Sequence, residues 1–176
     1  MALIHVTLPD GTVNEYAAGI TCGEVITDAL GKKNGCLAAL VDGQQKDMSH
    51  QIEQSCSVEG IKAESEAGMH ILRHSTAHLL AQAVMELYPE AKPTIGPAIE
   101  RGFYYDFAMD PITESDLKPI HKKMQEIARR NLPVERIELS DGELREHFAA
   151  NPYKIEIIND KIGEGIGSTI YKQGDW

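Results

Sequence analysis

Cysteine is scarce in this chain of 176 residues: there are three, and no two are spaced as C-x-x-C. Cys22, Cys36 and Cys56 read as reduced thiols of a cytosolic protein, not as a disulfide framework. Long apolar runs are missing too. No stretch of 18 or more apolar residues exists, which excludes a transmembrane helix. The start, "MALIHVTLPDG", lacks the basic residues and apolar stretch of a signal peptide. Positive charge is also short. Seventeen Lys and Arg against 27 Asp and Glu leave a net charge of −10, so bulk charge cannot hold the chain on nucleic acid. Any RNA contact needs a local patch or another part of a longer protein. The one concentrated basic segment, His121 to Arg130, reads as a solvated helix face.

What is present is a globular composition, 42% hydrophobic and 25% charged, enough for one ordinary domain or two small ones. Leu3 to Leu8 roughly alternate, Asp10-Gly11 supplies a hairpin turn, and Val13 to Tyr16 gives a second strand. Thr21 and Glu24 form a capping box for a helix burying Val25, Ile26, Ala29 and Leu30, which Gly31 ends. Strands are predicted at Leu37 to Val41, before the Asp42-Gly43 turn, and at "CSVEGIKA". The polar run Lys62 to Gly68 marks a domain boundary. Beyond it the pattern predicts a long helix from about Ala67 to Leu87, a strand from Phe103 to Phe107, and a helix starting near Ser115 so that Pro119 falls in its first turn. A helix capped by Ser140 and Glu143, a strand at "YKIEII", a flexible turn at "GEGIGS" and a further strand at "TIYKQGDW" complete the reading.

His74 and His78 lie four residues apart, the spacing that places two side chains on one helix face. With Leu72 at zero on a helical wheel, Thr76, Leu79, Leu80, Ala83 and Leu87 form a buried stripe, within roughly 80°. The histidines fall at roughly 200° and 240°, beside Ile71, Ala81 and Met85, while Ser75, Gln82 and Glu86 form the polar strip. A helix apolar on two sides is covered on two sides, and a pocket accommodates two imidazoles. Three readings stand: histidines satisfied under a second layer, half of a metal site, or a catalytic pair titrating near neutrality. H-S-T-A-H lacks the glutamate of H-E-x-x-H, and no second His or Cys pair follows.

The first 60 residues resemble a ubiquitin-like β-grasp module of the TGS type. "RHSTAHLLAQAV", "IGPAIERGFYYDF" and "YKIEII" behind it, in that order, resemble the N-terminal part of the bacterial threonyl-tRNA synthetases. The resemblance implies an α+β chain: a β-grasp module over 1–62, then over 63–176 an editing-type domain with a long helix packed on an antiparallel sheet. It implies a module that hydrolyses serine misattached to tRNA(Thr). One methyl separates serine from threonine and supports only about 10- to 200-fold discrimination, so a second, hydrolytic pocket is needed. By this resemblance His74, His78 and Lys154 are catalytic, and Tyr104, Tyr105 and Asp106 line the substrate. Arg73, about 100° round the wheel, is a candidate phosphate contact, and His70 lies outside the motif.

The family completes its editing site with a C-x-x-x-H motif, expected after "TIYKQGDW"; Trp176 is the last residue here. The chain is therefore expected to be a truncated piece with absent or weak deacylase activity and no resident cofactor. ATP, Mg and Zn are expected only for an aminoacylation domain outside it. The partners implied are tRNA(Thr) and seryl-tRNA(Thr), with no membrane, a cytoplasmic location, and a homodimer formed through other domains. Two alternatives differ in class: a TGS module binding RNA or a nucleotide on a non-catalytic scaffold, and a zinc protein of the alanyl trans-editing type.

Overall fold

The computed structural model describes residues 2–162 and 168–176. They divide into two compact units, Met1–Leu72 and Arg73–Trp176. The predicted turn at "GEGIGS" lies, apart from Ser168, outside the described residues.

In the first unit β1 (Leu3–Thr7) and β2 (Val13–Ala17) form the expected hairpin. Alternation turns Ile4 and Val6 inward and leaves Leu3, His5 and Thr7 exposed. Asp10 Oδ1 accepts the Thr12 N–H at 2.9 Å, and Gly11 takes φ 84°, the conformation glycine tolerates best. After the short β3 (Ile20–Thr21), α1 (Cys22–Leu30) starts at the expected capping box. Thr21 Oγ1 accepts the Glu24 N–H, and Glu24 Oε2 accepts the Thr21 N–H. Then come β4 (Cys36–Val41), β5 (Gln44–Lys46), β6 (Gln51–Ile52) and β7 (Cys56–Lys62). The sheet runs β2-β1-β7-β4-β5, with β1 parallel to β7, and β3 pairs with β6. Asp42 and Gly43 both take positive φ, as a two-residue I′ hairpin loop requires. Helix α1 lies on β4 and β7 over a core of Ile4, Val6, Cys22, Val25, Ile26, Ala39, Ile52 and Val58. The pattern alone predicts a small α+β unit, and the arrangement found is the β-grasp that the resemblance implies.

Helix α2 (Glu66–Leu87) matches the long helix expected, and the division between units falls inside it. Its buried face differs from the one anticipated. Ala77, Ala81, Ala83 and Val84 are buried, whereas Leu72 is 44% exposed. Gln82, assigned to the polar strip, is buried, and its amide donates to Glu86 Oε1 at 3.1 Å. Of the anticipated stripe, Ala83 is buried, and Leu80 and Leu87 pack against the core at Val84.

The rest of the second unit is β8 (Lys92–Pro93), β9 (Ala98–Ile99), β10 (Gly102–Phe103), β11 (Phe107–Ala108), α3 (Glu114–Arg129), β12 (Val134–Leu139), α4 (Asp141–His147), α5 (Pro152–Ile162) and β13 (Ser168–Gln173). The chain is α+β as expected, but the antiparallel pairing here is three separate two-stranded ladders, β8–β11, β9–β10 and β12–β13. The single strand predicted from Phe103 to Phe107 is interrupted at Tyr104–Asp106, between β10 and β11. Pro119 sits beyond the first turn of α3, because Glu114 already begins the helix after Thr113. Val84 packs with Ala91, Ile120, Leu80, Leu87, Phe107 and Met124, joining α2 to α3 and β11. The Tyr88 hydroxyl donates to Asp116 Oδ1 at 3.0 Å, fixing the first turn of α3 to the end of α2.

The largest correction is "YKIEII", expected as a strand and found as α5. The signal was present: Asn151 precedes Pro152, an N-cap followed by proline at the first helical position. Asn151 Oδ1 accepts the Lys154 N–H at 3.3 Å, and its amide donates to the Pro93 carbonyl at 2.8 Å, tying α5 to β8. Apolar Ile155 and Ile158 three residues apart fit a helix as well as a strand, and the cap decides.

Candidate functional site

Helix α2 brings His74 and His78 together as the spacing requires. Their Nε2 atoms are 3.1 Å apart, and the rings meet edge to face with centroids 4.6 Å apart at 75°. A contact between two Nε2 atoms fixes the protonation chemistry. One ring donates an N–H and the other accepts it, so the neutral pair presents one lone pair and one N–H at its two Nδ1 positions. The pair can take up one proton; a second would set two N–H groups against each other.

Lys154, on the first turn of α5, belongs to the same cluster. It acts on His78 as a neighbouring positive charge. Burial of the His78 ring, then the charges of His74 and Lys154, lowers its pKa to about 4, so the ring is neutral at physiological pH. Burial also lowers the pKa of Lys154. Its Nζ stands 6.0 Å from the centroid of the Phe148 ring. A fourth side chain completes the cluster: Trp176 meets His78 edge-on, centroids 6.5 Å apart at 78°. No sequence motif pointed to Trp176 or Phe148; tertiary contact alone brings them in.

The other candidates do not enter these ring contacts. Tyr104 is 48% exposed. Tyr105 stacks on Phe107 at 4.8 Å, and burial raises its phenol pKa. Gly96 lies flat against the Tyr105 ring, and a Cβ there would collide with it. Asp106 works through its backbone: its N–H donates to the Ile95 carbonyl, and its carbonyl accepts from the N–H and hydroxyl of Thr94, all at 2.9 Å. Arg73 is half-buried and His70 exposed. In the basic segment, Arg130 donates to both carboxylate oxygens of Glu86 at 2.7 and 2.8 Å and also to Glu126. Lys123 pairs with Glu126 at 2.9 Å. Two of its cations are thus neutralised within the unit.

Among the described residues no three His, Cys, Asp or Glu side chains converge as a metal site, and no helix is long and apolar enough to cross a membrane.

The TGS domain family model matches residues 4–62, most of the first unit. Over nearly its whole length the chain then matches the N-terminal region of bacterial threonine–tRNA ligases. It is 41% identical over 178 residues to that of Thiobacillus denitrificans, covering 99% of this chain and 28% of the relative. The threonine–tRNA ligase of Pelobacter propionicus is 42% identical over 180 residues, covering 100% and 28%. That of Alkalilimnicola ehrlichii is 45% identical over 176 residues, covering 97% and 27%. The chain therefore spans little more than a quarter of the length of these relatives.

Proposed function

We propose that this chain is the N-terminal part of a threonine–tRNA ligase, and that its second unit is a proofreading hydrolase acting on seryl-tRNA(Thr). The observation that carries the reading is the 3.1 Å contact between Nε2 of His74 and Nε2 of His78, with Lys154 acting on His78 as a neighbouring positive charge. Ester hydrolysis needs a group that takes a proton from water and a donor for the oxyanion that develops on the carbonyl. The histidine pair, joined Nε2 to Nε2 and able to accept one proton, supplies the first. The partly desolvated ammonium of Lys154 supplies the second, with more effect than it would have in water. Discrimination between serine and threonine then rests on pocket size, because the substrates differ by one methyl. ATP, Mg and Zn chemistry, dimerisation and cytoplasmic location are proposed for the whole ligase only.

The test is deacylation of seryl-tRNA(Thr) by the full-length ligase carrying His74→Ala. The expected result is a loss of about 10²- to 10⁴-fold in hydrolysis, the usual contribution of a positioned acid–base group, with threonine charging retained. Hydrolysis at the unaltered rate refutes the assignment.

A further inference from the structure

We propose that Trp176 is a positioning residue of the site: its indole, edge-on against His78, covers that imidazole and fixes its orientation against His74. The proposal rests on the hydrolytic reading of the pair. Its geometry begins in the backbone. Gln173, the last residue of β13, donates its N–H to the Trp176 carbonyl at 2.7 Å and accepts the Trp176 N–H at 3.2 Å. This closes a two-residue loop, Gly174-Asp175, in which Gly174 takes φ 61°. The Gly174 N–H donates to the Pro133 carbonyl at 3.1 Å, anchoring the loop beside the start of β12. A loop tied at both positions fixes the Trp176 Cα and delivers the ring to His78.

His78 then has an imidazole edge on one side and an indole on another, 4.6 and 6.5 Å away between centroids. Edge-to-face contacts are directional, so the pair of neighbours selects one ring orientation. A large apolar ring also removes water, which disfavours the imidazolium. The charged groups acting on His78 are His74 of its own helix and Lys154 of α5. Neither is a carboxylate that would hold a proton on the ring. Trp176 therefore keeps the proton acceptor neutral without entering the chemistry.

Two measurements test this on the 176-residue protein, and one on the full ligase. Trp176 is the chain's single tryptophan, and an imidazolium quenches an indole in contact with it. Fluorescence should therefore fall with a midpoint near about 4 as pH is lowered, and His78→Gln should abolish that step. In histidine NMR titrations, Trp176→Ala should raise the His78 midpoint toward the ordinary value of ~6.5, while Trp176→Phe leaves it low. In the full ligase, Trp176→Ala should move the acid limb of seryl-tRNA hydrolysis up by the same interval, with Trp176→Phe restoring it. A fluorescence step that survives His78→Gln, an unmoved His78 titration in a folded Trp176→Ala protein, or a moved titration with an unmoved pH profile each overturns the proposal. Failure of the hydrolytic reading would look different: His74→Ala would hydrolyse at the full rate, whatever His78 titration does.

Discussion

His74 and His78 share one hydrogen bond between like atoms, Nε2 to Nε2, at 3.1 Å. Such a bond survives the neutral pair and the singly protonated pair, and is lost when both rings are charged. The site is therefore tuned for uptake of one proton, and its behaviour with pH follows from that.

Stability should fall on acidification before the carboxylates titrate. His78 is depressed to about 4 in the folded chain, against ~6.5 for an unfolded histidine. Between those values the unfolded state binds the proton and the folded state does not, so stability is fully present above ~6.5 and drains as pH falls towards about 4. Urea unfolding at about pH 7 and about pH 5 should show the loss, and His78→Gln should reduce it.

Lys154→Met should raise the His78 pKa, because it removes a neighbouring positive charge. NMR titration of the histidines reads the shift directly. A titration unchanged from the parent protein would mean that the two groups are electrostatically independent.

Gly96→Ala should destabilise the second unit by about 1–3 kcal/mol, the usual cost of overpacking, since the new methyl is driven into the Tyr105 ring. Chemical denaturation gives the cost, and loss of near-ultraviolet dichroism reports disruption of the Tyr105–Phe107 stack.

Glu86 and Arg130 should show positive coupling in a double-mutant cycle with Glu86→Gln and Arg130→Met. Both side chains are about one-third exposed or less, and the contact is bidentate. A small positive coupling that shrinks with added salt fits a solvent-screened pair of good geometry.

Thr21→Ala should cost about 1 kcal/mol in the first unit, through loss of the capping box on α1. Thr21→Ser, which keeps the hydroxyl, should cost much less in the same unfolding assay.

The first unit was nearly all readable from local signals, because its hairpin turns, capping box and inward alternation are determined by neighbours a few residues apart. The second unit was less so. The "YKIEII" segment carries isoleucines that suit a strand or a helix, and the Asn151-Pro152 helix start settles it as a helix. Gln82 looked solvent-facing on a wheel, yet its side chain turns along the helix to Glu86 while the surrounding alanines admit close packing.

A helix of 3.6 residues per turn obliges His74 and His78, four residues apart, to face the same way. The α+β character is likewise legible in local pattern, from the hairpin turns and the capping boxes. What surrounds the imidazoles depends on tertiary contact, not on local pattern. Lys154 and Trp176 lie 76 and 98 residues beyond His78 in the chain. Their charge and their ring act on it through space, and no local pattern encodes a contact between segments that far apart.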